Sequence, residues 1–249
     1  MSRPIVLVTG ASRGIGAATA KLAAERGYDV CVNYRTNAAA AAAVVGDITQ
    51  AGGRAVAVQA DVASEQDIVR LFETCDRELG PLSALVNNAG VLETQMRVDA
   101  MDAGRLQRVF AANVTGSFLC AREAVKRMST KHGGRGGAIV NVSSGASRLG
   151  SPGEYVDYAA SKGAIDTFTI GLAQEVAQEG IRVNSVRPGF IYTDIHASGG
   201  EPNRVDRVKA FVPMRRGGSA DEVAHAILWL LSDQASFTTG SFVDVTGGR

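Results

Sequence analysis

Cysteine is scarce in this 249-residue chain: Cys31, Cys75 and Cys120 stand far apart, with no C-x-x-C pair and no histidine at ligand spacing. That excludes a disulfide framework and a zinc finger, and it fits a reducing compartment. A surplus of one charge is missing too. Lysine and arginine number 26 against 25 acids, so no bulk field recommends nucleic acid or an anionic membrane as a partner. No apolar run approaches the ~20 residues that a membrane helix needs. Met1-Ser2-Arg3-Pro4 leads straight into a β-like run, unlike a secretory signal. His132, His196 and His225 lie apart. Each reads as a surface or capping residue, and no metal site is expected. What is present is ordinary globular composition, 45% hydrophobic and 20% charged. It suits one large cytoplasmic α/β domain over residues 1–249.

Strand and helix signals alternate along the whole length. Ile5-Val6-Leu7-Val8 is a continuous apolar run between Pro4 and Gly10, as expected of a strand buried on both faces. Further strands are expected at 29–33, 55–59, 84–86, 138–142, 182–186 and 242–245. Helices are expected at 15–26, 38–51, 65–79, 102–131, 158–178 and 220–231. The six alanines from Ala38 to Ala43 read as helix, since alanine is the best helix former. Residues 133–137 read as a flexible turn and 188–218 as loop, with a short helix near 205–211. With no interdomain linker, this pattern predicts one doubly wound parallel sheet of about seven strands, a single Rossmann-type domain.

Two stretches carry chemistry. In Tyr158-Ala159-Ala160-Ser161-Lys162 the phenol and the ammonium are four residues apart, which on a helix puts them on one face, one turn apart. A tyrosine ionises near pH ~10, and a neighbouring cation favours its phenolate and makes it a usable acid or base. After the first strand comes Thr9-Gly10-Ala11-Ser12-Arg13-Gly14-Ile15-Gly16, spaced G-x-x-x-G-x-G. Glycines there let backbone approach a pyrophosphate at the N-terminal end of a helix. The second strand ends Asn33-Tyr34-Arg35, with Tyr34 where an NAD site usually carries an acid for the ribose 2′-hydroxyl. Arg35 and Arg13 suit a 2′-phosphate through charge-assisted hydrogen bonds. NADP(H) is therefore the favoured cofactor, with NAD(H) possible.

With these motifs the chain resembles the short-chain dehydrogenase/reductases over essentially its full length. The resemblance also rests on Asp61, Asn87-Asn88-Ala89-Gly90, Asn113, Ser144 and Pro188-Gly189, all in the expected order. It is nearest to the 3-oxoacyl-carrier-protein-reductase-like and glucose-dehydrogenase-like members. It implies that Asp61 accepts from the adenine amino group beside Val62 and that Asn88, Ala89 and Gly90 pack against the adenosine ribose. Asn87 is read as a tie between strands. Pro188, Gly189, Ile191 and Thr193 are implied to hold the nicotinamide end. The implied catalytic set is Asn113, Ser144, Tyr158 and Lys162, with Ser143 as a competing hydroxyl. Tyr158 protonates the alkoxide that hydride transfer creates, Ser144 bonds the same oxygen, Lys162 holds the nicotinamide ribose, and Asn113 holds a relay water.

Tyr155 lacks a lysine four residues on and reads as a pocket wall or packing residue. Arg204, Arg207 and Lys209 read as a solvated helix face or as a landing site for an acidic carrier protein. Sugar, acyl thioester, steroid and small ketone all fit as substrates. The resemblance further implies a homotetramer, for which Phe110, Val114, Phe118, Phe168 and Leu172 offer apolar surface. A nucleotide-sensing regulator on the same fold would have no use for the intact serine, tyrosine and lysine, and a structural protein none for the glycine loop and the arginine pair.

Overall fold

The computed structural model describes residues 3–249; Met1 and Ser2 of the N-terminal stretch lie outside the described residues. In chain order the main elements are β1 (Ile5–Val8), α1 (Gly14–Glu25), β2 (Asp29–Tyr34), α2 (Ala38–Gln50), β3 (Ala55–Gln59), α3 (Glu65–Glu78) and β4 (Ala84–Asn87). Then come α4 (Ala103–Phe110), α5 (Gly116–Met128), β5 (Gly137–Val142), α6 (Ala146–Leu149) and α7 (Val156–Val176). The remainder is β6 (Ile181–Pro188), α8 (Ile195–Ser198), α9 (Arg204–Val208), α10 (Ala220–Leu231) and β7 (Phe242–Val245). The seven strands form one sheet in the order β3-β2-β1-β4-β5-β6-β7, and every pairing is parallel.

Parallel crossovers put helices on both faces, so the central strands are apolar on both sides. All four residues of β1 are buried. Val6 and Val8 enter one layer with Ala20 and Ala23 of α1, Val44 and Ile48 of α2, and Val223 and Ile227 of α10. Ile5 and Leu7 enter the other with Ile68, Leu71 and Phe72 of α3, Cys120 and Ala124 of α5, and Val176 of α7. The three cysteines are buried and unpaired. Chain order reverses where β1 meets β4. A doubly wound sheet opens a crevice at the carboxyl ends of its strands at that seam. Among the described residues no helix is long and apolar enough to cross a membrane.

The expected helix over 102–131 runs from 103 to 128 and carries a bulge. A π-helical turn, Ala111–Thr115, separates α4 from α5. Asn113 sits inside it, where its side chain accepts from the Val91 N–H (2.7 Å) and donates to the Val91 carbonyl (3.1 Å) and the Ser161 hydroxyl (3.1 Å). The Ser117 hydroxyl donates back to the Asn113 main-chain carbonyl (3.1 Å). Such bulges recur at functional sites; here the wider turn lets one side chain brace the chain leaving β4. Other departures are smaller: Gly137 belongs to β5 and not to a turn, α6 and α8 form where no element was expected, α7 starts at Val156, two residues early, and β6 runs on to Pro188.

Candidate active site

One groove runs along the carboxyl ends of β1, β4, β5 and β6. Its phosphate half is lined by Gly10, Ser12, Arg13, Gly14, Asp61, Val62 and Ala89, and its reacting half by Ser144, Tyr158, Lys162, Pro188 and Gly189. Ile15, Asn88, Gly90, Thr193 and Ile195 line both, so no wall divides them.

The phosphate half begins at α1. Asn37, Ser64, Asp102 and Ser219 cap α2, α3, α4 and α10 with side-chain oxygens. The start of α1 has no such cap and no acid in its first turn, so its N–H groups and positive dipole end stay available to an anion. Gly14 turns the chain at φ 55°, a left-handed conformation that favours glycine. A Cβ on Gly16 would fall 2.5 Å from both the Asn88 amide nitrogen and the Gly10 carbonyl. The Thr9 hydroxyl ties this loop to β4, accepting from the N–H groups of Asn88 and Ala89 (both 3.0 Å).

At the end of β2 Asn33 lines the phosphate half, and Tyr34 does not. Asn33 is buried, accepting from the Gly10 N–H (3.1 Å) and donating to the Ala60 carbonyl (3.1 Å), so it braces the loop. Tyr34 packs against the core and lines neither half of the groove. The rim beside it is formed by Arg35, Thr36 and Asn37, facing Arg13. Among the described residues neither Arg13 nor Arg35 has an acid within ion-pair reach. Asp61 lies outside the helix that follows, whose cap is Ser64. One of its oxygens accepts from the Ala63 N–H (2.9 Å), which holds the carboxylate at the groove.

At the reacting half the two serines separate. Ser143 is buried and its hydroxyl donates to the Lys162 carbonyl (3.1 Å). The Ser144 hydroxyl accepts from the Ala146 N–H (3.1 Å) at the start of α6 and lines the groove together with Tyr158. Tyr158 and Lys162 share one face of α7, with the ammonium 5.6 Å from the phenol ring centroid. The ammonium does not turn to the phenol oxygen, however; it donates to the Val142 carbonyl (2.7 Å). The expected net depression of the phenol is accordingly not seen. Burial pushes Tyr158 above its ordinary value, and the Ser144 hydroxyl and the Arg204 cation only partly offset this. Burial also drops the Lys162 ammonium to about 8, against a small opposing pull from Asp166. In the protein alone both groups are thus shifted towards their neutral forms.

Further groups here were not read from the sequence. In α4 Arg105 meets Asp157, the residue before Tyr158, through Nε to Oδ2 (2.7 Å) and Nη2 to Oδ1 (3.4 Å). Their side chains are 3% and 1% exposed, and Arg105 also donates to the Thr94 carbonyl (2.7 Å). The pair fixes the first turn of α7, which lacks a side-chain cap. No local pattern joins residues 52 apart; the one available signal was an acid at a helix start. His196 is buried in the cavity wall and not at the surface, with Nε2 3.0 Å from the Ile191 carbonyl. Arg204 is also buried in that wall, which removes it from the expected solvated face. Tyr155 is both wall and packing residue, its hydroxyl donating to the Gly199 carbonyl (3.0 Å).

Comparison with known proteins places this geometry. Residues 10–249 match the family profile described as enoyl-(acyl carrier protein) reductase. The chain is 66% identical over 245 residues to the uncharacterized oxidoreductase YgfF of Escherichia coli, covering 98% of this chain and 99% of that protein. It is 39% identical over 249 residues to a 3-oxoacyl-[acyl-carrier-protein] reductase of Synechocystis, covering 100% and 97%. The crystal structure of a short chain dehydrogenase from Burkholderia cenocepacia in complex with NADP superposes with a TM-score of 0.90 at 31% identity, covering 99% and 97%.

Proposed function

This chain belongs to the short-chain dehydrogenase/reductase family and is an oxidoreductase acting between a carbonyl and an alcohol, and we propose that it works with NADP(H) and uses Tyr158 as its proton donor and acceptor. The observation that carries the reading is the placement of Ser144, Tyr158 and Lys162 in the same groove as an uncapped, glycine-lined helix start. Bound there, NADP(H) supplies or accepts the hydride; the rest falls to the chain. In reduction the Tyr158 phenol gives its proton to the carbonyl oxygen as negative charge builds there, while the Ser144 hydroxyl bonds the same oxygen. Lys162 lies at the seam of the two halves, 3.6 Å from where a Cβ on Gly90 would stand, and would hold the ribose of a bound nicotinamide cofactor. Asn113 holds Val91 and Ser161 around that lysine, and its proposed part in proton relay rests on this position.

Preference for NADP(H) is supported by the unpaired Arg13 and Arg35 at the rim, by the lack of an acid at the end of β2, and by the NADP bound to the Burkholderia relative. Hydrogen bonds to a charged group contribute about 1.5–3 kcal/mol each. NADPH is therefore expected to exceed NADH at least about tenfold in kcat/KM, and Arg13→Ala with Arg35→Ala to erase that margin. Better kcat/KM with NADH in the wild type would overturn the assignment.

We also propose a homotetramer. Phe118, 46% exposed, stacks on Phe168 at 3.7 Å on one face, and Trp229 and Phe237 stand exposed elsewhere. Light scattering at micromolar concentration is expected to give the mass of four chains, and a monomer would refute it.

A further inference from the structure

Every charged side chain lining the reacting half of the groove is basic: Lys162, Arg204 and Arg249. Lys162 is committed to the Val142 carbonyl and the cofactor seam. Arg204, at the start of α9, is held on one edge only, by Glu154. It is 8% exposed, and its guanidinium lies 4.6 Å from the centroid of the Tyr155 ring and 5.6 Å from that of Phe190. Nη2 donates to a Glu154 carboxylate oxygen, whereas Nε is buried with no acceptor at all. A buried N–H without a partner is costly, and a ligand that supplies the acceptor recovers that cost.

Glu154 pairs with this cation from outside the cavity wall; its other oxygen accepts from Arg207 (3.3 Å), which Glu201 also holds, so the Nη2 edge of Arg204 is met and its Nε is not. Arg249 adds a second positive group at the same wall, 5.1 Å from the Phe190 ring centroid. Leu92, Leu149 and Ile195 supply the apolar remainder. A guanidinium with aromatic rings over it donates only from its edge, the geometry that a planar carboxylate matches.

We infer that the substrate carries a carboxylate, bound at Arg204 on the opposite side of its carbonyl from the nicotinamide, with an apolar stretch between: an oxo acid in reduction, a hydroxy acid in oxidation. The inference rests on the hydride-transfer reading above. In the balanced reaction the hydride goes to the carbonyl carbon and the Tyr158 proton to its oxygen, while the carboxylate is unchanged. Arg204 is a specificity-determining residue and takes no part in either transfer.

The test is a series of short straight-chain oxo acids, with the oxo group at the second to the fifth carbon, each run against its methyl ester with NADPH. In the wild type the best acid is expected to exceed its ester by at least about tenfold in kcat/KM. Arg204→Met is expected to abolish that ratio through KM for the acid, with a far smaller loss on the ester. Arg204→Lys, which keeps a cation but loses the planar fork, reads the same ratio should the methionine variant not fold, and is expected to lower it about threefold or more. Parallel loss of acid and ester turnover in Arg204→Met would reduce Arg204 to a brace and overturn the inference. Wild-type turnover of esters without acid preference would overturn it too, leaving the hydride-transfer reading in place. No turnover of any acid, ester or alcohol would overturn both.

Discussion

Tyr158→Phe is expected to leave less than a tenth of the wild-type kcat, a barrier increase of at least about 1.4 kcal/mol, with NADPH affinity nearly unchanged. The substitution removes one oxygen and keeps the ring beside Lys162. The aliphatic hydroxyl of Ser144 is a far weaker acid than a phenol and does not replace it. The direction of the pH dependence follows from burial. Reduction needs the protonated phenol, and the upward shift of Tyr158 keeps that form intact throughout the neutral range. Reduction is therefore expected to be level from neutral pH until Lys162 loses its proton near its value of about 8, and to decline above it. Oxidation needs the phenolate and is expected to climb with pH over the same range. Steady-state rates in both directions, with a fluorescence titration of NADPH, read all of this. A phenylalanine variant with more than a tenth of wild-type kcat would remove Tyr158 from the chemistry.

Asp157→Ala should have the largest effect on stability. It strands the Arg105 guanidinium, 3% exposed, without its carboxylate. Removing one partner of a buried ion pair costs about 3–5 kcal/mol, because the other charge stays buried. Replacing both, as Arg105→Met with Asp157→Leu, is expected to recover most of that loss, since a well-packed apolar pair is often as stable as the ions. Urea unfolding of the two single variants and the double variant measures the coupling. A loss under about 1 kcal/mol in Asp157→Ala would show that water reaches the pair. The position also bears on function. Asp157 precedes Tyr158, so a loosened first turn of α7 should lower kcat even where the fold survives.

What the sequence disclosed and what it withheld divide along physical lines. The sheet was legible because each parallel strand is a short apolar run and each glycine or proline marks its end, as in Ile5–Val8. The tyrosine–lysine pair and the glycine loop were legible because helical spacing and backbone freedom are local properties. The π-helical turn at Asn113 was not, since the partner its side chain meets there, Val91, lies 22 residues earlier. Arg204 was misread for a similar reason. Its neighbours Arg207 and Lys209 are exposed, and a charged helix usually faces water. The rings of Tyr155 and Phe190 and the Glu154 carboxylate, brought from other segments, receive it on the inside. The pull of Lys162 on the phenol failed as an expectation because spacing fixes which face a side chain occupies but not which acceptor it chooses.

Strands that are greasy on both sides raise a question of alignment. In a half-exposed sheet a one-residue slip would throw apolar groups into water, so solvent itself enforces the register. β1 has no such guard, because a slipped Leu7 would still land in oil. The chain supplies buried amides in its place. Asn87 and Asn141 face each other across β4 and β5, joined by a 3.0 Å bond, and Asn33 clasps the backbone of the glycine loop and of the segment after β3. All three sit at the strand ends nearest the groove. They act as dowels: misalignment by one residue would leave each amide stranded in a dry interior, a penalty that falls where the reacting atoms must be placed to a fraction of a bond length.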